Sequence, residues 1–252
     1  MQRFSESVRA AKGPCLFAVG QAGFILKSKS GQLLAIDLYL SECVERLEGN
    51  MGFKRLLPKL LHPDELTFDA VICTHPHWDH FDVDAVPALL YNGRTKLLCS
   101  TDCRQLIDRL QLGYYAKNIT YVKPGERYEL GDFCIDFVNC DHGTGAPDAV
   151  GVVVTVDGKC VYEAGDTCLR LDRVNEIPKS PDVLIAPING AYGNLNETEC
   201  AALAKALAPK VTVPCHYGMF ASHHGDVGAF VDAMRKESLP FLLMRQGEAY
   251  TL

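Results

Sequence analysis

Three short apolar runs, Cys15-Leu16-Phe17-Ala18-Val19-Gly20, Gly23-Phe24-Ile25-Leu26 and Leu33-Leu34-Ala35-Ile36-Asp37, alternate with the polar turns Gly20-Gln21-Ala22-Gly23 and Ser28-Lys29-Ser30-Gly31. Apolar runs of this length bounded by turn residues read as strands, and their close spacing predicts a β-meander. A short helix over 41–47 follows, and then a loop-rich excursion over 49–66 that carries Lys54, Arg55 and His62. Ala70-Val71-Ile72-Cys73 is a further strand. The pattern then alternates: a helix over 84–91, a strand over 96–99, and a helix over 102–110 with Asp102 as its cap, Gln105 three residues on, and an end at Gly113. Strands over 119–122, 127–130, 133–138, 150–156 and 160–163 read as hairpins joined by Pro124-Gly125, Gly131-Asp132 and Asp157-Gly158. After a strand over 182–186, Asn196 and Glu199 make a capping box for a helix over 198–208 that Pro209 stops. A last helix over 226–236 puts Val227, Phe230, Val231 and Met234 on one face, and 241–244 with 248–252 read as a closing hairpin around Gln246-Gly247.

Composition adds bounds. With 252 residues, 48% hydrophobic and 22% charged, the chain can bury a sizeable core, and one domain spanning 1–252 is expected. A formal net charge of −6 gives no general attraction to a phosphate backbone, so no nucleic-acid partner is expected. No apolar stretch approaches a membrane span and the start lacks a signal-peptide apolar segment, so the expectation is a cytoplasmic protein without a membrane partner. The 11 cysteines are scattered with no C-x-x-C pair, which reads as free thiols acting as small hydrophobes; Cys140 and Cys215 stand near candidate ligands.

The chemistry centres on Thr74-His75-Pro76-His77-Trp78-Asp79-His80, which opens where the 70–73 strand ends. Imidazole nitrogens and carboxylate oxygens at this density are the donors of a Zn²⁺-class site. Alternate residues of an extended loop converge on one ion, so His75 and His77 pair off, while Asp79 and His80 face a second point. Ligand types recur at later strand ends, in Asp141-His142-Gly143, in Gly165-Asp166-Thr167 and at His216 after Val211-Thr212-Val213-Pro214-Cys215. The sets are His75, His77 and His142 for one ion, Asp79, His80 and His216 for the other, and Asp166 bridging both. Asp37, at the end of its strand, is either a support behind the site or a turn cap. Candidate substrate contacts are Lys54 and Arg55 for an anionic group, Asn189, Tyr192 and Asn194 in a polar glycine-rich loop, and His223 and His224 just past His216.

The Thr-His-x-His-x-Asp-His run, with His142, Gly165-Asp166-Thr167 and His216, resembles the metallo-β-lactamase superfamily. Gly20-Gln21-Ala22-Gly23-Phe24, Val122-Lys123-Pro124-Gly125 and Val213-Pro214-Cys215-His216-Tyr217-Gly218-Met219-Phe220 look like its branch containing the L-ascorbate-6-phosphate lactonase. The resemblance implies an α/β (α+β) chain in a four-layer αββα sandwich with a dinuclear site at one edge. It carries the metal ligands over position by position, but not the substrate, because the Gly143-Thr144-Gly145-Ala146-Pro147 region departs from that lactonase. His77 stands where the redox branch has an acidic residue, which implies hydrolysis. The expected cofactors are two divalent ions, Zn²⁺ or Mn²⁺, that lower the pKa of a water held between them, with Asp79 orienting it and taking its proton. A small anionic lactone or ester is the expected substrate. A phosphodiesterase or nuclease is the alternative, a non-catalytic metal-binding scaffold comes third, and homo-oligomers are common among relatives.

Overall fold

The computed structural model describes residues 3–252. Helix α1 (Phe4–Ala10) leads into β1 (Cys15–Gly20), β2 (Gly23–Lys27) and β3 (Leu33–Ile36), the antiparallel meander that the apolar runs predict. Helix α2 (Cys43–Glu48) opens the excursion, which ends at β4 (Ala70–Cys73). Next come α3 (Ala85–Leu90), β5 (Lys96–Ser100), α4 (Arg104–Arg109) and β6 (Ile119–Val122), and β3 to β6 run parallel because each returns through a crossover. The chain continues through β7 (Arg127–Leu130), β8 (Phe133–Asn139), β9 (Val150–Val156) and β10 (Lys159–Glu163), all antiparallel neighbours. Strand β11 (Val183–Pro187), helix α5 (Glu197–Leu207), strand β12 (Val211–Cys215), helix α6 (Val227–Lys236) and strand β13 (Ala249–Thr251) complete the order. One sheet runs β13-β1-β2-β3-β4-β5-β6 and the other β12-β11-β10-β9-β8-β7.

Strand alternation sorts the side chains into three buried layers. Leu16, Phe24, Leu26, Leu34 and Ile36 of the first sheet meet Ile135, Phe137, Val152, Val154 and Val213 of the second in one cluster between the sheets. The opposite face of the first sheet, with Phe17, Ile25, Val71 and Cys73, packs on Phe4, Val8, Ala85, Leu89 and Ile107 from α1, α3 and α4. On the far side, Val153, Leu184 and Ala186 pack on Leu203, Leu207, Phe230 and Met234 from α5 and α6. The result is an αββα sandwich, held by side chains whose burial contributes about 1.5–3 kcal/mol each.

Three local expectations change. Lys123-Pro124-Gly125-Glu126 is no hairpin: β6 pairs with β5 and β7 with β8, so this turn carries the chain from one sheet to the other. Asp102 does not cap α4, because its carboxylate accepts the Asp148 backbone N–H at 2.7 Å and a 3₁₀ turn over Thr101–Cys103 starts the helix instead. The C-terminal hairpin is split between the sheets, with Phe241 bridged to Thr212 of β12 while β13 pairs with β1. The 131–132 and 157–158 turns do form hairpins, and Asp157 and Gly158 both take the positive φ that such a tight turn needs.

Candidate metal centre

The loop that begins at Thr74 springs from the buried end of β4, and Asp37, just past β3 on the neighbouring strand, anchors it. Asp37 Oδ1 accepts Thr74 N–H at 2.8 Å, and Oδ2 accepts both Thr74 Oγ1–H at 2.6 Å and His80 Nδ1–H at 2.7 Å. Thr74 Oγ1 already donates to Asp37, so its 3.0 Å contact with His75 Nδ1 is accepted from the ring. In its neutral form each ring therefore carries its proton on Nδ1 and turns a bare Nε2 inward. Asp37 is a support behind the site rather than a turn cap. The loop then closes on itself, with His80 N–H and Phe81 N–H both donating to His77 O.

The first group forms where His142 comes across from the end of β8. His75 Nε2 and His142 Nε2 each stand 3.0 Å from His77 Nδ1, and Asp166 Oδ2 lies 4.0 Å from His75 Nε2 and 3.8 Å from His142 Nε2. In the second group His80 Nε2 is 3.1 Å from His216 Nε2 and 3.7 Å from Asp79 Oδ2. Asp166 reaches this group as well, its Oδ1 lying 2.7 Å from His216 Nε2 and 3.4 Å from His80 Nε2. Each group's ligand atoms fall within 4.8 Å of one another, and the two groups are those the spacing predicts.

Burial is the largest influence on the imidazoles. It pushes His75 well below its usual pKa and brings His142 down to about 4; His77 is lowered too, although its outer face is open to the cleft. Burial also opposes charge on His80, but Asp166, Asp37 and Asp79 outweigh it and hold that ring well above the usual value. Asp166 is driven the other way: burial favours its neutral form, yet His216 and His80 keep it ionised far below the ordinary carboxylate range.

His77 Nδ1 has at most one proton to share with the two nitrogens 3.0 Å away, His75 Nε2 and His142 Nε2, so three ring nitrogens converge on one point. His142 Nδ1 is buried without any hydrogen-bond partner. Imidazole nitrogens and carboxylate oxygens converging within 4.8 Å in each group fit nitrogen- and oxygen-liganded divalent ions.

Backbone strain accompanies the placement. His216 (φ 59°) and Asp37 (φ 48°) both sit in the left-handed region, which costs a non-glycine residue about 1–3 kcal/mol. Asp166 is presented by Gly165, at φ +66°, where an added Cβ would come within 3.0 Å of Val150 O and 3.1 Å of Cys140 Sγ. Glu163, wholly buried, accepts Gly165 N–H at 3.0 Å and so fixes this turn from below.

A cleft of about 480 Å³ opens over the two groups. Asn189, Tyr192, Asn194 and His223 lie in its wall, whereas Lys54, Arg55 and His224 do not. Arg55 corrects the anion-binding expectation. Its guanidinium faces away, donating to Leu57 O at 2.8 Å, Ser41 O at 2.9 Å, and Tyr39 O and Pro58 O at 3.4 Å each, over the Tyr39 ring. Lys54 is exposed outside the wall, and His224 only contacts Gly225 O through Nδ1. Other contributors escaped the sequence reading. Gln21 donates through Nε2 to Asp79 Oδ2 at 2.9 Å and touches His216 Nδ1 at 3.0 Å, and a polar residue between two glycines in an apolar meander was the only signal for it. Trp78 and Met51 line the cleft, and an apolar side chain in a loop carries no such signal. A larger groove, about 780 Å³, runs beside α2 and α3, but its cations are matched to carboxylates: Arg46 to Asp84, Lys59 to Glu42 and Arg3 to Glu65.

Residues 16–216 match the profile of the beta-lactamase superfamily domain. A metal-dependent hydrolase of Methylobacterium nodulans is 29% identical over 197 residues, 72% of this chain and 79% of its own. A metallo hydrolase of the archaeon Ignicoccus hospitalis, 25% identical, superposes with a TM-score of 0.71 over 94% of this chain and 97% of its own. YhfI of Bacillus subtilis, a metallo-beta-lactamase fold protein, shares the architecture at 18% identity with a TM-score of 0.66 over 94% of this chain and 98% of its own. The matched span runs from β1 to His216 and so contains both ligand groups, and on that match this chain belongs to the metallo-β-lactamase superfamily.

Proposed function

We propose that this chain is a metal-dependent hydrolase of a small ester or lactone. His75, His77 and His142 hold one divalent ion, Asp79, His80 and His216 hold a second, and Asp166 serves both. The observation that carries this reading is the position of Asp166, whose Oδ2 faces the first group at 3.8–4.0 Å and whose Oδ1 faces the second at 2.7–3.4 Å. Bound there, Zn²⁺ or Mn²⁺ would polarise a carbonyl oxygen and make water acidic enough to attack near neutral pH. Asp79, steered by Gln21 through Oδ2, uses its other oxygen to orient the attacking water and take its proton. Trp78 and Phe53 close the cleft's apolar side and limit the water around the scissile bond.

The lactonase branch suggested by the motifs shares this reaction type, but its phosphate would meet no Lys or Arg among the described residues of the wall. A phosphodiesterase would lack cations along its substrate for the same reason. The test is a panel of aryl esters, sugar lactones, bis(p-nitrophenyl) phosphate and short RNA, assayed with Zn²⁺ and with Mn²⁺. Turnover of an ester or lactone that a chelator abolishes is expected. Turnover of the phosphodiester or RNA with no ester or lactone hydrolysed would overturn the reading.

A further inference from the structure

We infer that the part of the substrate lying away from the metal centre is apolar and uncharged, and that the cleft rejects substrates bearing a second anionic group there. This inference deepens the hydrolase reading and rests on it.

The wall is built from Val44, Met51, Phe53, Trp78 and Tyr192, with the carboxylate of Glu48 beside them. Among the described lining residues none is Lys or Arg. The neighbouring cation that could have reached in, Arg55, is spent on backbone carbonyls behind the wall. His223 is tied into the wall as well. Its Nε2–H donates to Met51 O at 2.8 Å and its ring stacks on Phe53 with centroids 4.6 Å apart. Phe53 is held in turn by Phe220, edge-on at 5.4 Å, and lies 6.0 Å from Tyr192. Ser222 Oγ–H donates to Gly52 O at 2.9 Å, which ties the strip carrying Phe53 to the segment after His216. The aromatic face is therefore preformed, and a flat or branched apolar group gains contact area without ordering a loop. An anionic group in the same place would lose its water, find no Lys or Arg to pair with, and stand near Glu48.

Trp78 is the chain's only tryptophan and lines the cleft, so its emission reports occupancy without any need for turnover. The experiment titrates zinc-loaded protein with three benzoates that share one carboxylate for the metal end and differ at the para position: 4-tert-butylbenzoate, terephthalate and 4-(trimethylammonio)benzoate. The neutral tail should bind at least about tenfold more tightly than the anionic tail, the like-charge penalty being the cause. Glu48→Lys should narrow that gap, and Phe53→Ala should weaken the neutral ligand alone while leaving zinc content unchanged. Equal or tighter binding of terephthalate, or no emission change with any of the three, would overturn the inference. Hydrolysis is read separately with p-nitrophenyl butyrate and p-nitrophenyl hemisuccinate. If neither these esters nor the sugar lactones are cleaved, the hydrolase reading fails while the binding ratio still decides the character of the cleft; if the hemisuccinate is preferred, the inference fails while the hydrolase reading stands.

Discussion

At His142 a buried ring with an unpartnered Nδ1 has its pKa brought down to about 4, so the folded, metal-free protein resists a proton that the unfolded chain accepts at the ordinary value of 6.5. The sign follows directly. Above pH 6.5 both states leave the ring neutral and His142 adds no pH dependence; from 6.5 down to about 4 only the unfolded state takes the proton, so stability is lost as pH falls, up to about 3 kcal/mol. His75 pulls the same way. His80, raised, stabilises the fold below 6.5 and loses that contribution only as pH rises through its elevated pKa, so it does not cancel the acid loss. Urea midpoints of metal-stripped protein between pH 4 and 8 should fall on the acid side of 6.5; a flat profile there would contradict the buried neutral imidazoles. Asp37→Asn leaves one accepting oxygen where the carboxylate uses two to hold Thr74 and His80, and should weaken metal affinity about 10–100-fold by chelator competition. Asp166→Asn should lose metal and turnover together, whereas Asp79→Asn should lose turnover more than metal. Comparable mild losses of both properties in both variants would argue that neither carboxylate acts on bound metal. The ligand types were legible residue by residue because His, Asp and their spacing carry the chemistry themselves. Gln21 was not, since it acts on Asp79 and His216, partners that only the fold brings near.

Elements position these residues by ending where the chemistry begins: β4 ends before Thr74, β8 before His142, β10 before Gly165 and β12 before His216. Apolar runs and turn residues made those strands readable to within one or two positions. What the runs could not show was which strands pair. The Lys123–Glu126 turn looks like a hairpin locally, and only the competition between two sheets for β6 and β7 makes it a crossing. Asp102 failed as a cap for a similar reason, because a distant backbone N–H at Asp148 took its carboxylate. Asn196 succeeded as a cap: its side chain accepts from Thr198 N and Glu199 N, and Glu199 returns the bond. Asn196→Ala should cost about 1 kcal/mol in a urea titration and leave metal content alone. Arg55→Ala, at the base of the excursion, should destabilise by about 1–3 kcal/mol by orphaning carbonyls, with no selective loss on anionic substrates. A selective loss on those substrates would restore Arg55 to the cleft.

Over the whole molecule, two sheets bring ligands separated by more than half the chain to one edge, from His75 in the first sheet's loop to His216 after the last strand of the second. The αββα layering was legible through motif resemblance and less through periodicity, since strand runs alone do not give sheet order. No helix among the described residues is long and apolar enough to cross a membrane. The cleft's character depended on the packed whole: Lys54 and Arg55 read as substrate cations in sequence, while the fold turns one outward and closes the other behind the wall. The central claim is that the two ligand groups hold divalent metal, and elemental analysis of protein reconstituted in turn with Zn²⁺ and Mn²⁺ tests it most directly. The account expects stoichiometry approaching two ions per chain, one for each ligand group; a value well below one for every metal offered would contradict it.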